Sequence, residues 1–291
     1  MKRTYAVVIL VWLVLGPAVL CSADETVHVM LANDDGIDSL GLIAIAEAIA
    51  ADPAYRLTVV APARQQSAMG HALKIRGEIE VREYETIAGA PAWSVDATPA
   101  SVVRVGLTAL LKDDPPDLVV SGINRGENDG LGSWVSGTVA AAREAALAGI
   151  PSIALSLQID WSDPNPMWAT AAAWCKPVID AVVQDGLPAG VYLNVNVPMN
   201  TLEARGYRVA RMGLDESAVS RYDLARVDSD GVRWYVNVWR PPVVTEPGRD
   251  GHALNEGWVT IAPLEMDHTS EQTLHHLQHM ELPAKPAATD E

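Results

Sequence analysis

Residues 27–36 read VHVMLANDDG, an apolar run that stops at two adjacent acids, Asp34 and Asp35. Apolar side chains along the first six residues predict a buried β-strand, and Gly36 permits the tight turn that a strand needs before a helix. In open α/β sheets, ligands bind beyond the carboxyl ends of the strands. The two acids therefore stand where a binding site is expected.

Two neighbouring carboxylates repel each other unless a cation lies between them. The sequence offers no evident basic partner for Asp34 and Asp35. Hard divalent cations prefer oxygen ligands, which makes Mg²⁺, Mn²⁺ or Ca²⁺ the natural cofactor here. An Asx-rich turn that caps the following helix is the alternative interpretation, and this segment alone leaves both open.

Strand and helix patterns alternate through the first two-thirds of the chain. Further strands are predicted at 56–61, 93–96, 117–120, 152–157 and 192–197, and helices at 40–51, 101–112, 138–148 and 167–184. Pro177 is expected to kink or split the last helix. A hairpin is predicted at 74–84, with its turn near Gly77. The alternation is typical of an α/β fold, a mostly parallel sheet with helices on both faces.

The last third of the chain has a different pattern. Strands are predicted at 207–212, 233–239 and 258–263, and a turn at 228–231, between long polar loops. We interpret residues 201–280 as a β-rich C-terminal extension that completes the same domain and joins subunits. Residues 281–291 are acidic and rich in proline and alanine, which predicts a disordered tail.

The first residues have the pattern of a secretory signal peptide. The chain starts MKR, continues with an apolar run at 5–15 and reaches small residues at 21–23, which predicts a signal peptide over 1–23 that is cleaved after Ala23. An uncleaved anchor is the alternative, although a membrane span needs about 20 apolar residues. We expect an exported protein, periplasmic or secreted, with no stable membrane association after cleavage.

Net charge and cysteine content limit the kinds of partner and of covalent cross-link that we expect. The formal net charge of −16 argues against a nucleic-acid polymer as partner, because no basic stripe is available to neutralise phosphates. A small phosphorylated substrate remains compatible, since a metal ion or a helix N-terminus supplies a local positive centre. Cleavage would remove Cys21 and leave Cys175 alone, so we expect no internal disulfide.

Two polar segments follow other predicted strands. Ser67 lies in the loop after the second strand, where it is either a neutral oxygen ligand or part of a plain surface loop. Asn124 and Asn128 lie in a glycine-rich segment whose backbone could approach a ligand closely, although such residues also form ordinary turns.

Ser136, Gly137 and Thr138 stand at the start of a predicted helix. Hydroxyls and free N–H groups at a helix N-terminus form an anion site, and simple N-capping is the alternative. All these segments fall on one side of the predicted sheet. Together they predict a metal held by two Asp, one Ser and one Asn, next to a phosphate pocket.

Several motifs occur in order along the chain. They are NDDG at 33–36, VVAP at 59–62, TP at 98–99, PDLVVSGINRGEN at 116–128, SGT at 136–138, GIPSIALS at 149–156, LNVNVP at 193–198 and EGWVTIAPL at 256–264. This set resembles the stationary-phase survival protein SurE family, and the resemblance covers nearly all of the chain after the signal peptide.

The resemblance implies a Rossmann-like core over 24–200 and a homodimer or homotetramer. It implies a divalent-metal phosphatase that hydrolyses nucleoside 5′- and 3′-monophosphates with a metal-activated water, with Mg²⁺ or Mn²⁺ as cofactor and Ca²⁺ as a possible structural occupant. The implied catalytic residues are Asp34 and Asp35. The implied metal ligands are Asp34, Asp35, Ser67 and Asn124. The implied substrate- and phosphate-binding residues are Asn33, Asn128, Ser136, Gly137 and Thr138, and Asn33 is also expected to support the diacid.

The chain departs from the family pattern at three points. The loop at 63–68 lacks an acid and a glycine, Val135 replaces an aromatic residue before SGT, and an export signal is present where most members are cytoplasmic. Exported relatives described as acid phosphatases widen the choice of substrate. The alternatives are therefore a broad-specificity exported acid phosphatase and a non-catalytic nucleotide- or phosphate-binding protein.

The sequence bears on two other chemistries, a phosphorylated aspartate and a histidine metal site. Phosphatases that form an aspartyl-phosphate usually place their two Asp two residues apart, whereas Asp34 and Asp35 are adjacent and point in different directions from a strand. His275 and His279 have the i, i+4 spacing of a transition-metal pair on a helix, and a solvated helix face is the alternative.

Overall fold

The computed structural model describes residues 26–214, 219–239 and 246–280. The predicted signal peptide at 1–23 and the predicted disordered tail at 281–291 lie outside the described residues. Strands in the described part are β1 (Val27–Ala32), β2 (Tyr55–Pro62), β3 (Val81–Ile87), β4 (Ala90–Val95), β5 (Leu118–Arg125), β6 (Ser152–Leu157), β7 (Val191–Val197), β8 (Tyr207–Val209), β9 (Val219–Val227), β10 (Arg233–Trp239) and β11 (Val259–Glu265).

Nine of these strands form one sheet, in the order β3-β4-β2-β1-β5-β6-β7-β11-β8. The six strands from β4 to β7 run parallel, while β3 and β11 are antiparallel to their inner neighbours. Strands β9 and β10 form a separate antiparallel pair. The carboxyl ends of the parallel strands therefore meet at one edge of the sheet, as the sequence predicted.

Helices cover both faces of the sheet. They are α1 (Leu40–Ala50), α2 (Pro99–Val105), α3 (Gly132–Val135), α4 (Gly137–Leu147), α5 (Trp168–Asp185), α6 (Asp250–Asn255) and α7 (Glu271–Gln278). A π-helical turn, Gly106–Leu110, extends α2, and Thr201–Glu203 form a 3₁₀ turn. No helix in the described part of the chain is both long and apolar enough to cross a membrane.

The side chains of β1 alternate between the two faces of the sheet, and each face is covered by its own layer of helices. Val29 and Leu31 pack into one core cluster with residues of α1 and α5, whereas Met30 and Ala32 pack into another with residues of α2 and α4. Successive side chains of a strand point to opposite faces, so a strand that is apolar on both sides must be covered on both sides. The predicted α/β architecture is confirmed.

The predicted hairpin at 74–84 is wrong. The hairpin consists of β3 and β4, and its turn lies at Ala88 and Gly89, which have φ of 50° and 77°. Gly77 also has a positive φ, of 75°, but no strand flanks it. A non-glycine residue at positive φ leaves little signal in a sequence, so a turn at Ala88 is not predicted by the residue types there.

Two further boundaries differ from the prediction. Strand β5 continues from the predicted 117–120 through to Arg125, because Gly122 lets β6 approach: a Cβ there would lie 2.3 Å from the carbonyl oxygen of Leu155. Helix α5 is continuous through Pro177, since its buried side chains hold it against the sheet despite one missing N–H donor. Cys175 is buried in α5 as a free thiol.

The C-terminal extension divides into two parts. Strands β8 and β11 add to the main sheet beside β7, and β8 ends at Val209, earlier than the predicted 212. Strand β9 was not predicted, and it pairs with β10 across the turn that the sequence indicated at 228–231. The pattern of β9 is hard to read because its described side chains are exposed on both faces.

Candidate active site

The predicted site residues cluster at the carboxyl edge of the sheet. Asp34 and Asp35 follow β1, the loop with Ser67 follows β2, and Asn124 lies at the end of β5. Strands β2, β1 and β5 are adjacent and parallel, so their carboxyl ends bring these segments together. The N-terminus of α4, with Thr138, contacts Asp34 directly.

Asn33 shapes the turn that carries the two acids. Its amide nitrogen donates to the carbonyl oxygen of Gly36 at 2.8 Å and to the hydroxyl of Ser39 at 2.7 Å, and its amide oxygen accepts from Gly36 N at 3.3 Å. Gly36 has φ of 104°, which favours glycine. Asn33 thus uses its side-chain amide to hold the turn that carries the two acids, and a phosphate contact by Asn33 stays a prediction.

Asp34 is buried, with 3% of its surface exposed. Its carboxylate accepts hydrogen bonds from the hydroxyl and from the backbone N–H of Thr138. Burial, and then the charge of Asp35, raise the pKa of Asp34 to about 7, although the Thr138 bonds oppose the shift. In the protein alone, Asp34 therefore ionises less readily than an ordinary carboxyl group.

Gly137 is the residue that lets α4 approach Asp34. A Cβ at Gly137 would lie 2.7 Å from Asp34 Cβ and 2.8 Å from Pro99 Cγ, which is closer than real Cβ atoms come to other side chains. The first residue of α4 must therefore lack a side chain. This contact explains the middle residue of the Ser-Gly-Thr motif by packing.

Asp35 is joined to two neighbouring segments. Its Oδ2 accepts from the backbone N–H of Arg125 at 2.9 Å, and its carboxylate is also bonded to the side chain of Gln65. Burial raises the pKa of Asp35, whereas these hydrogen bonds and the charge of Arg125 lower it, and burial prevails. Gln65 Nε2 also lies 3.2 Å from the Oγ of Ser67, to which it donates.

Ser67 is exposed, and its loop is tied to the diacid at more than one point. Gln66 N donates to the carbonyl oxygen of Asp34 at 2.7 Å. Asn124 is buried, and its amide nitrogen donates to the carbonyl oxygen of Gly126 at 2.8 Å. This bond fixes the amide plane and leaves the side-chain oxygen of Asn124 as an acceptor.

The start of α4 uses its donors internally. Ser136 is the N-cap, and its Oγ accepts from Val139 N at 3.1 Å, as the capping alternative proposed. Thr138 directs both of its donors at Asp34. The anion that lies against this helix N-terminus is thus the Asp34 carboxylate. A phosphate contact by Ser136, Gly137 or Thr138 stays a prediction.

Three polar residues that the sequence did not single out position Asn128. Asn128 N donates to Asn196 Oδ1 at 2.8 Å, Asn128 Nδ2 donates to Ser156 Oγ at 2.9 Å, and Asn194 Nδ2 donates to Asn128 O at 2.8 Å. Asn194 and Asn196 are fully buried in β7. Two asparagines in an otherwise apolar strand were the available signal, because buried amides require partners.

Comparison with known proteins identifies the family to which the chain belongs. The family model described as Survival protein SurE matches residues 29–218. The chain belongs to the SurE family. Its resemblance to that family, predicted from the motifs, is confirmed.

Relatives of known name match most of the chain. The 5'-nucleotidase SurE of Desulfatibacillum aliphaticivorans is 38% identical over 254 residues, 86% of this chain and 97% of that protein. The 5'-nucleotidase SurE of Geobacter sulfurreducens is 38% identical over 259 residues, 88% and 95% of the two chains. The crystal structure of the SurE protein from Aquifex aeolicus has a TM-score of 0.72 at 33% identity and covers 86% of this chain and 99% of that one.

The SurE-type donor set of this chain fits a hard divalent cation. It offers two carboxylates, one hydroxyl and one amide oxygen, all of the type that Mg²⁺, Mn²⁺ and Ca²⁺ prefer. None of the ion pairs between described residues includes Asp34 or Asp35. Burial raises the pKa of both acids, and the charge of Asp35 adds to the shift at Asp34; the positive charge of a bound cation would oppose both shifts.

Histidine ligands do not add to this SurE-type site. Among the described residues no group of three or more His, Cys, Asp or Glu side chains could hold a metal ion. His275 and His279 lie with ring centroids 4.7 Å apart at the end of α7, whose side chains are all exposed. The exposed helix face agrees with the solvated alternative for these histidines.

A cavity of about 320 Å³ opens beside the diacid. Its polar lining includes Asp35, Asp38, Gln65 and Arg125, and its apolar lining includes Pro164, Pro166 and Trp168. Its size falls in the usual range for small-molecule sites. Because Asp35 belongs to both the diacid and the cavity, a ligand held at the acids has room to extend into it.

Proposed function

We propose that this chain is a divalent-metal-dependent phosphoric monoester hydrolase that acts on nucleoside 5′- and 3′-monophosphates. The observation that carries the proposal is the Asp34–Asp35 pair, held at the sheet edge beside a cavity and without a basic side chain paired to it in the described structure. The relatives that match most of the chain are named 5'-nucleotidases, which supports the same reaction class.

The metal ligands in this proposal are Asp34, Asp35, Ser67 and Asn124. A bound Mg²⁺ or Mn²⁺ supplies positive charge that draws in the phosphoryl oxygens and polarises them. Ca²⁺ satisfies the same oxygen ligands and is a possible structural occupant. The carboxylates supply most of the attraction for the cation, and the two neutral oxygens complete the set.

The protein's own groups then position the reacting atoms. The bonds from Thr138 fix the plane of the Asp34 carboxylate, and the bond from Arg125 N fixes that of Asp35. One of these carboxylates accepts the proton of the water that attacks phosphorus. Phosphoryl transfer depends mainly on positioning and charge stabilisation, so rigidly held acids are sufficient and no cysteine or histidine nucleophile is required.

The leaving group extends into the cavity beside Asp35. Its walls of Trp168, Pro164 and Pro166 offer flat apolar surfaces, and Gln65 and Arg125 offer hydrogen-bond donors. Planar heterocycles with polar edges fit such a lining. This lining favours nucleoside esters over small aliphatic phosphate esters.

The decisive experiment measures phosphate release from AMP and from 3′-AMP by the purified chain. The protein is first treated exhaustively with EDTA and then supplied with Mg²⁺, Mn²⁺ or Ca²⁺ in turn. We expect no turnover after chelation and recovery with Mg²⁺ or Mn²⁺. Full activity without metal would refute the metal assignment. Binding of AMP without turnover in the presence of every metal would show that the chain is a nucleotide-binding protein and not an enzyme for this substrate. Equal rates on non-nucleoside esters would favour a broad-specificity acid phosphatase.

A homodimer or homotetramer is part of the same proposal. Strands β9 and β10 form a two-stranded ribbon of their own, with Tyr222, Leu224, Trp234, Tyr235 and Val236 all exposed. An isolated hairpin is only marginally stable in water, and exposed apolar side chains favour an interface. Sedimentation velocity of the intact chain and of a variant lacking 219–239 tests this. A monomer in both cases would exclude the ribbon as an assembly element.

A further inference from the structure

A second cavity, of about 570 Å³, lies between α3, α4, β7 and β11. None of its lining residues lines the cavity beside Asp35. Its walls include the rings of Trp134, Tyr192 and His268 and the apolar side chains of Leu187, Met212 and Leu264. One cation, Arg143, lies among them.

Arg143 is buried, with 8% of its surface exposed. Its Nε donates to the hydroxyl oxygen of Tyr192 at 2.9 Å, and its Nη2 donates to the carbonyl oxygen of Ser133 at 3.5 Å. The guanidinium carbon lies 5.6 Å from the ring centroid of Trp134 and 5.8 Å from that of Tyr192. A guanidinium has five N–H groups, so these two bonds leave three N–H groups available.

No carboxylate of a described residue lies within ion-pair distance of Arg143, although two exposed acids, Glu265 and Asp267, line the same cavity. The next residue, Glu144, is also buried, but Arg104 Nε donates to it at 2.5 Å and His71 Nε2 lies 2.8 Å from it. No ion pair between described residues includes Arg143. Burying a charge without a partner is unfavourable, and aromatic faces compensate only in part. A buried arginine beside an open cavity therefore favours an anion inside it.

The remaining lining defines what kind of anion fits. Glu265 and Asp267 also line the cavity, and both are exposed. They repel negative charge on a ligand, and because this repulsion grows with the charge, it disfavours phosphate dianions and nucleotides more strongly than a monoanion. The rings and aliphatic side chains favour an apolar, planar body. Arginine binds carboxylates with two parallel hydrogen bonds, which suits a single carboxylate at one end.

We propose that this cavity is a second ligand site, separate from the diacid, which binds an aromatic monocarboxylate through Arg143. The carboxylate accepts the free N–H groups of Arg143, and the aromatic body packs against Trp134 and Tyr192. The volume lies within the usual range for small-molecule sites, about 300–1,000 Å³.

The test titrates the purified chain with phenylacetate and, separately, with phenylacetamide, at constant ionic strength in a calorimeter. The two probes share a shape and differ in charge. We expect saturable binding of phenylacetate and at least about tenfold weaker binding of phenylacetamide, because hydrogen bonds to an ionised group are the stronger ones. Equal affinities, or no saturable binding of phenylacetate, would overturn the proposal.

Variants locate the binding site. Arg143→Met should weaken phenylacetate binding at least about tenfold, while its melting temperature should hold or rise, since an apolar replacement of an unpaired buried charge is often neutral or stabilising. Asp35→Asn should bind phenylacetate as the parent does. Unchanged binding by Arg143→Met, or lost binding by Asp35→Asn, would place the ligand elsewhere and refute the proposal.

Trp134→Ala provides a variant at the cavity wall, at a residue that is 45% exposed. This variant should bind both phenylacetate and phenylacetamide more weakly, because it removes an aromatic wall of the cavity and no charge. Sedimentation at the titration concentrations completes the test. Phenylacetate binding that disappears as the chain self-associates would show that a second copy covers this cavity, and would overturn the proposal.

Discussion

Thr138 donates both its hydroxyl and its backbone N–H to the carboxylate of Asp34. The two residues are 104 positions apart in the chain. The bonds join the N-terminus of α4 to the end of β1, so the positive end of a helix lies against one acid of the proposed metal site. The helix therefore serves first to hold the acid.

Substitution of either acid should remove most of the activity without destabilising the fold. We predict that Asp34→Asn and Asp35→Asn each lower kcat for AMP at least about a hundredfold, the range of a lost acid–base group. Neither variant should melt at a lower temperature in EDTA, because burial and mutual repulsion already disfavour the ionised pair. Asp113→Asn, at an 89% exposed side chain, is the matched control. Retained kcat in both acid variants would move the reaction elsewhere.

Thr138→Val should separate the contribution of the Thr138 hydroxyl from the contribution of its side-chain volume. Valine keeps the volume of the buried threonine but leaves Asp34 without one donor, which should destabilise the protein by about 1–3 kcal/mol. We expect a lower kcat as well, since the carboxylate plane is no longer fixed. Thr138→Ser, which retains the hydroxyl, should recover most of the activity. Chemical denaturation and steady-state kinetics measure the two effects, and identical behaviour of the two variants would contradict the assigned bond.

Gly137→Ala tests the packing of α4 on the diacid. The added Cβ would lie 2.7 Å from Asp34 Cβ, so α4 or the acid must shift, and overpacking of this kind destabilises by about 1–3 kcal/mol. Activity should fall together with stability. Gly132→Ala is the control, because nothing lies within 4 Å of a Cβ there. A Gly137→Ala protein with parental melting temperature and kcat would show that α4 does not press on Asp34.

Glu144 should make stability depend on pH. Burial alone would raise the pKa of Glu144, but hydrogen bonds from His71 and Arg104 outweigh it and hold that pKa below its usual range. A lowered folded-state pKa contributes stability above the unfolded value of 4.5, and the contribution is lost as pH falls through the folded pKa. Glu144→Gln should therefore be destabilised by about 1–3 kcal/mol at pH 7, and the deficit should shrink below pH 4.5.

Denaturant titrations at several pH values measure the Glu144→Gln deficit. Glu47→Gln, at an exposed position of α1, is the matched control and should differ little from the parent at any pH. A deficit that stays constant from pH 7 to acid would assign the effect to packing instead of charge.

Export is a prediction that rests on residues 1–23 alone, which lie outside the described structure. We expect the native protein outside the cytoplasm, with its N-terminus at Asp24 or within a residue or two of it. Mass spectrometry of the protein from separated cell fractions measures both. An intact Met1 start confined to the cytoplasm would refute export. In an exported setting, extracellular nucleotides and other phosphate esters are the expected substrates.

Local sequence patterns predict the strands and helices of the core correctly, but they do not predict one turn and one strand extension that depend on tertiary contacts. The strand that ends at Asp34 and Asp35, and the helices on either face, follow from the spacing of apolar residues, which reports burial directly. The hairpin turn at Ala88 does not follow from local residue types, because a positive φ at alanine is imposed by the strands that it joins. The extension of β5 past Gly122 was missed for a similar reason, since it depends on how closely β6 approaches.

The sequence by itself determined that two acids, a serine and an asparagine follow the ends of predicted strands, because the point at which an apolar period stops is a local property. From this the sequence predicts that the four residues share one site. Only the tertiary structure decided how these groups are held. Asp34 meets Thr138, and Asp35 meets Arg125 N across 90 positions, by contacts that no local pattern encodes. The unpaired Arg143 has the same origin, since whether a charge finds a partner depends on which elements pack around it.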